Sequence, residues 1–188
     1  MEREIVYFGK YPYEPDGEPV PIPWIVLEEY ADGSKFLLTK DLIDRISYHN
    51  VYESTVWADC SLRAWLNGEF LETAFTDEER ARIAETELHT PDNPEAEVPG
   101  GPDTVDRIFC ITREDCANLF EDDADRAAKS TPFAVAHEGM INWWWLRSPG
   151  EYGLAPCAVF GTGLVYLCNG HYDERNISIR PALVLKPE

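Results

Sequence analysis

Three consecutive tryptophans, Trp143-Trp144-Trp145, constrain this chain more than any other feature. In an extended strand successive side chains point to opposite faces, which puts Trp143 and Trp145 on one face and Trp144 on the other. Burying rings of that size stabilises a fold by roughly 25 cal/mol per Å² of apolar surface removed from water. Core packing is therefore their expected role. Six tryptophans in 188 residues demand a well-formed interior, and that length suits one domain rather than two.

The N-terminal part has the pattern of strands. Ile5 to Phe8 is a short apolar-rich run ended by Gly9 and the turn-prone stretch 11–17. Trp24 to Leu27 and Phe36 to Thr39 flank Ala31-Asp32-Gly33-Ser34, a glycine-containing hairpin turn. Pro19, Pro21 and Pro23 keep the approach to that hairpin extended.

The middle has the period of helices. Leu62, Trp65 and Leu66 recur at helical spacing, and Asn67-Gly68 has the composition of a stop. Thr76 and Glu79 form a capping box that predicts a helix through about Ile83. Thr112 with Asp115 is a weaker start signal for a helix through Phe120. Between them, residues 90–107 hold four prolines, Gly100-Gly101 and a run of acids, which reads as a surface loop. Its carboxylates (Asp92, Glu95, Glu97, Asp103, Asp106) lack the alternating spacing of a calcium loop, so solvated charge is expected.

Charge excludes whole classes of partner. The net charge is -19, from 35 acidic and 16 basic residues. Such a field repels nucleic acid and anionic lipid, so neither nucleic-acid binding nor membrane docking is expected. The charge is uneven: residues 151–188 hold Glu151, Asp173, Glu174 and Glu188 against Arg175, Arg180 and Lys186. The C-terminal fifth is thus nearly neutral. The N-terminus lacks the apolar stretch of a signal peptide, and no run is long and apolar enough to span a bilayer. The expected location is the cytoplasm or display by a route that needs no signal peptide, such as a phage particle.

Five cysteines (Cys60, Cys110, Cys116, Cys157, Cys168) are scattered, with no CxxC pair. Free buried thiols are expected rather than a zinc or redox site. The histidines His49, His89, His137 and His171 are dispersed, and there is no nucleophile elbow or P-loop. The sequence therefore predicts no catalytic residues, no metal and no cofactor.

From Asn142 onward the chain is β-like and aromatic, with runs at Cys157–Phe160, Leu164–Cys168 and Ile177–Leu185. Pro181 in the last run lacks an amide donor and marks an edge or an irregularity. Here the motifs become familiar. Trp144-Trp145-Leu146-Arg147-Ser148-Pro149-Gly150 and Ile179-Arg180-Pro181-Ala182-Leu183 resemble the end of a C-type-lectin-fold domain. They are most similar to a bacterial and phage family that includes the variable proteins of diversity-generating retroelements. Phe8-Gly9-Lys10-Tyr11-Pro12, Pro23-Trp24-Ile25-Val26-Leu27 and Ser61-Leu62-Arg63-Ala64-Trp65-Leu66-Asn67 agree with it, so the resemblance covers nearly the whole chain. Ser178 departs from it, since these domains usually have glycine before the final motif.

The resemblance implies an α+β, C-type-lectin-like fold with short helices, a small twisted antiparallel sheet, and paired N- and C-terminal strands. It implies one domain over residues 1–188, with 1–150 as scaffold, 151–176 as a variable ligand-binding segment and 177–188 as closing strand. In that segment Ala155, Val159, Gly163, Val165 and Gly170 have the character of scaffold. The expected ligand contacts are Tyr152, Leu154, Pro156, Phe160, Thr162, Leu164, Tyr166, Cys168, Asn169, His171, Tyr172, Asp173, Arg175 and Asn176. Tyrosine and asparagine suit a paratope, because Tyr gives broad amphipathic contact at low entropic cost. The expected partner is a protein, with a surface glycan as the other class that stacked tyrosines admit. Trp65, Trp143, Trp144, Trp145 and Arg180 are assigned to the framework, Arg180 as donor to buried carbonyls.

Two alternatives belong to other classes. Formylglycine-generating enzymes are distant relatives by fold, and Cys157 and Cys168 lie where their copper-binding pair would fall, at a different spacing. A self-associating structural or adhesin module is the second alternative.

Overall fold

A computed structural model describes residues 3–136, 142–151, 156–167 and 177–187. Its first four-stranded antiparallel sheet has the order β1 (Ile5–Tyr11), β2 (Val20–Glu29), β3 (Lys35–Thr39) and β9 (Ala182–Leu185). The N- and C-terminal strands thus share one sheet, at its two edges. They do not pair with each other: β9 pairs with β3, Phe36 opposite Val184 and Leu38 opposite Ala182. Pro181 sits just before β9, where its carbonyl accepts from the Thr39 amide at 2.9 Å and its missing donor costs the ladder nothing.

The first strand does not end at Gly9 as the sequence suggested. It continues to Tyr11 through a bulge in its register against β2. Gly9 supplies the bulge with φ +66°, and a Cβ there would lie 2.4 Å from the Phe75 ring. The glycine therefore lets a phenylalanine close over the strand, and Phe75 packs on Phe8, 5.4 Å between centroids.

After a short 3₁₀ turn at Trp57–Asp59, α1 (Ser61–Trp65) leads through a π-turn (Leu66–Phe70) into α2 (Leu71–Ala74). Asn67-Gly68 is therefore no stop. The Asn67 amide group donates to the Arg63 and Ile108 carbonyls and accepts from the Arg107 and Ile108 amides. That side chain ties the helix to a segment forty residues away, and the widened turn carries the helix past it. Both capping boxes form as expected: Thr76 opens α3 (Asp77–Arg82) and Thr112 opens α4 (Arg113–Leu119). Short helices α5 (Asp123–Arg126) and α6 (Pro132–Val135) follow.

The acidic stretch is less solvated than its composition suggests. Its end is β5 (Thr104–Asp106), paired with β4 (Thr86–Leu88), and Thr90, Asn93, Thr104 and Asp106 are buried. Asp106 accepts from Trp57 Nε1 at 2.9 Å, Thr104 Oγ1 at 2.8 Å and Arg63 Nε at 2.7 Å, which satisfies a carboxylate inside the core. Asp92 accepts from the Gly100 amide, Glu95 faces Arg113 and Asp103 faces His89. Among the described residues no three His, Cys, Asp or Glu side chains converge as a metal would require.

A second antiparallel sheet contains β6 (Trp144–Pro149), β7 (Pro156–Val159) and β8 (Val165–Tyr166). Trp144 and Trp145 are both fully buried, because β6 is covered on both faces. Trp145 packs edge-on against Tyr48 at 5.9 Å and donates to the Ile46 carbonyl, while Trp144 lies under Arg180. Trp143 precedes the strand and is only half-buried. Residues 178–182 join the two sheets: Ser178 bonds the backbone of Trp143 and Trp145, Ile179 that of Ile43 and Asp44, and Ala182 that of Phe109. Ser178 is fully buried in this junction.

Candidate ligand-binding face

The candidate face is built on the β7–β8 hairpin. Phe160 donates its amide to Leu164 O at 2.9 Å and accepts from the Gly163 amide at 2.8 Å, closing a three-residue loop. Gly163 has φ +87° and lies against α5, where a Cβ would meet Asp123 O at 1.5 Å. Arg126 holds the loop from the same side, donating Nε to Gly163 O at 3.0 Å and Nη1 to Cys116 O at 3.3 Å. A turn tied to a helix in this way presents its side chains from a fixed base.

Those side chains form an aromatic ladder. Trp143 stacks on Phe160 with centroids 4.1 Å apart and planes 24° apart, and Phe160 contacts Tyr166 at 4.8 Å. Exposure rises along it: Trp143 and Phe160 are half-buried, whereas Tyr166 is 41% and Leu164 47% exposed. Thr162 at the loop tip is exposed. Among the described strands β8 pairs with β7 alone.

Four expected contacts are therefore accessible or half-accessible in one patch: Phe160, Thr162, Leu164 and Tyr166. Pro156 is not, since it is buried opposite Pro149 where β6 and β7 meet. Adjacency in sequence put it with the variable residues, but at the start of β7 its ring turns into the core. Tyr152, Leu154, Cys168, Asn169, His171, Tyr172, Asp173, Arg175 and Asn176 lie outside the described residues. The structure adds Trp143, which the sequence assigned to the framework and which forms the floor of the ladder. Its place outside β6 is set by the β6–β7 register, which begins at Trp144.

Two buried arginines support the face. Arg180 is 2% exposed and donates Nε to Thr39 O at 2.9 Å, Nη1 to Arg126 O at 2.9 Å and Nη2 to Lys40 O at 3.4 Å. This is the role expected for it. Burial pushes its pKa down to about 10, so it remains charged at neutral pH. Arg147 donates Nη1 to Cys110 O at 2.7 Å and Nη2 to His89 O at 3.3 Å, with Asp115 Oδ2 at 3.6 Å.

Cys60, Cys110, Cys116 and Cys157 are all buried, the first three as free thiols. Burial pushes the Cys60 and Cys116 thiols up to about 12, and Cys110 upward as well. The Cys157 thiol donates to Pro149 O at 3.3 Å inside the sheet; Cys168 lies outside the described residues. Of the described histidines, His49 accepts from the Ser61 amide at the start of α1, and His89 pairs with Asp103 on the surface. His137 and His171 fall outside the described residues. No helix among the described residues is long and apolar enough to cross a membrane.

A family model described as a domain of unknown function (DUF6273) matches residues 32–187. No curated protein and no solved structure matches the chain.

Proposed function

The chain belongs to the DUF6273 family, and from its exposed face we propose that it is a ligand-binding domain rather than an enzyme. The observation that carries this reading is the ladder Trp143–Phe160–Tyr166, which runs from a half-buried base to an exposed tip beside Leu164. Aromatic rings and a leucine held on a fixed turn give a partner apolar area to bury without first losing much conformational freedom. A shallow patch of this kind suits a macromolecular surface better than a small molecule, which a protein usually encloses. The ligand is a protein or a surface glycan.

The finer reading is a C-type-lectin-like domain whose 151–176 segment is diversified, as in the variable proteins of diversity-generating retroelements. The resemblance of the Trp-Leu-Arg-Ser and Arg-Pro-Ala-Leu segments supports it, as does a framework anchored by Arg147 and Arg180 on either side of the segment. Sequencing the 3′ end of the gene across its source population tests it. Substitutions crowded into codons 151–176, at positions traceable to template adenines and with codons 177–183 constant, are expected. A uniform segment overturns diversification and leaves a binder of fixed specificity.

A further inference from the structure

A cleft of about 690 Å³ opens on the other side of the Phe160–Gly163 turn, between β1, β2 and the chain around α5. Its polar lining is unusual for a protein of net charge -19. Four cations, Arg3, Lys40, Lys129 and Arg180, face two carboxylates, Asp41 and Asp125, for a local net charge of +2. Arg3 and Asp125 are paired at 2.9 Å, and Asp41 accepts from the Tyr13 hydroxyl at 3.3 Å. Lys40 and Lys129 are exposed and form no ion pair among the described residues.

Arg180 explains why the cleft exists. Its three acceptors lie on opposite walls, Thr39 and Lys40 on one and Arg126 on the other. The Leu42 amide bonds Lys129 O at 2.9 Å, which holds the two lysine-bearing segments side by side. A guanidinium has five N–H donors, and three are committed to carbonyls among the described residues. Arg180, only 2% exposed and with each of its nitrogens on a carbonyl, therefore contributes a fixed positive charge to the cleft it lines. Ile5, Ile25 and Ala128 complete an apolar wall.

We propose that this cleft binds the phosphate group of a small phosphate ester, with the ammonium groups of Lys40 and Lys129 on the oxygens, the buried charge of Arg180 behind them and the organic part along Ile5 and Ile25. A phosphate monoester near neutral pH carries a charge of about -1.5 to -2 and three strong acceptor oxygens, which matches the lining in both charge and donor number. The protein's overall negative field opposes approach, but over distances beyond about 8 Å salt screens it. The site is separate from the aromatic face, and its assignment does not depend on that face binding anything.

The test is a ¹⁵N NMR titration of the intact chain with phenyl phosphate, inorganic phosphate, benzoate and acetate at constant ionic strength. Phenyl phosphate is expected to give saturable shifts at the amides of Lys129, Asn142 and Gly161, binding at least tenfold more tightly than inorganic phosphate or either carboxylate. Affinity should rise from pH 5 to 7 as the second phosphate proton, with pKa about 6, is lost. The exposed-residue variant Lys40→Ala/Lys129→Ala should weaken binding at least tenfold with an unchanged melting temperature. No saturable shift, shifts away from the cleft, or full affinity in the double variant would overturn the proposal. Equal affinity for benzoate would overturn the phosphate assignment, and equal affinity for inorganic phosphate the ester assignment.

Discussion

The guanidinium carbon of Arg180 sits 5.1 Å from the centroid of the Trp144 ring, with both residues buried. One side of the cation meets an aromatic face while its edges reach backbone carbonyls of Thr39, Lys40 and Arg126. The pair thus joins β6 to β3 and to α5, which carry the two sheets and the clamp on the candidate turn. A planar cation is needed, because an ammonium cannot stack on the ring and reach divergent acceptors at once.

Removing that cation should be costly. Arg180→Ala removes the donor to the buried Thr39 carbonyl and to the part-buried Lys40 and Arg126 carbonyls, and the expected loss is about 3–5 kcal/mol. Arg180→Lys should recover only a minor part of it, since one ammonium cannot replace the fork. Urea unfolding of the three proteins provides the comparison, and a loss below about 1 kcal/mol for alanine contradicts the role described.

The ladder should separate stability from binding along its length. Leu164→Ala and Tyr166→Ala remove exposed atoms and should change stability by no more than about 1 kcal/mol. Phe160→Ala removes the middle ring and should cost about 2–3 kcal/mol, between a surface and a core truncation. All three should weaken binding of a ligand isolated with the wild-type chain. If Tyr166→Ala proves as destabilising as Phe160→Ala, the tip is core and the face lies elsewhere.

Gly163 is expected to tolerate no side chain. Its left-handed backbone costs alanine about 1–2 kcal/mol, and a Cβ would press on the Asp123 carbonyl besides. Gly163→Ala should therefore destabilise by at least about 2 kcal/mol in thermal unfolding. Gly68→Ala is the control: its Cβ would meet nothing within 4 Å, and in a helical run it should stabilise slightly.

The buried thiols predict a dependence on alkaline pH. Burial raises Cys60 and Cys116 from an ordinary 9.0 to about 12 in the folded chain. Above pH 9 the unfolded chain releases these protons while the folded chain retains them, so unfolding is favoured as pH rises. The associated stability is full below pH 9 and is lost between about 9 and 12. Denaturant unfolding at pH 8 and pH 10 should show the decline, smaller in Cys60→Ala and Cys116→Ala. In the native state these thiols should also react with an aromatic disulfide reagent only as fast as the chain unfolds.

Local signals in the sequence were reliable. Thr76 and Glu79, or Thr112 and Asp115, need only each other and lie three residues apart, so both boxes were legible. The same holds for the β2–β3 hairpin around Gly33. What escaped depends on distant partners. Asn67-Gly68 has the composition of a helix end, yet the amide is held by Arg107 and Ile108. Asp106 sits in an acidic run, yet its partners Trp57 and Arg63 come from another part of the chain. On the candidate face, Phe160, Thr162, Leu164 and Tyr166 could be read from their chemistry. The burial of Pro156 and the half-exposed position of Trp143 follow from β6–β7 register, which composition does not encode.

The stitching of residues 178–185 into both sheets has a consequence for biosynthesis. The partners of this segment, among them Thr39, Ile43, Phe109 and Trp145, are all made earlier, so they wait on the ribosome for the stretch that completes them. A message that shifts frame or stops within the candidate segment yields a chain without Arg180 and without the fourth strand of its main sheet. Folding then acts as a proofreader of reading frame: the chain completes both sheets only when translation through residues 178–185 is intact.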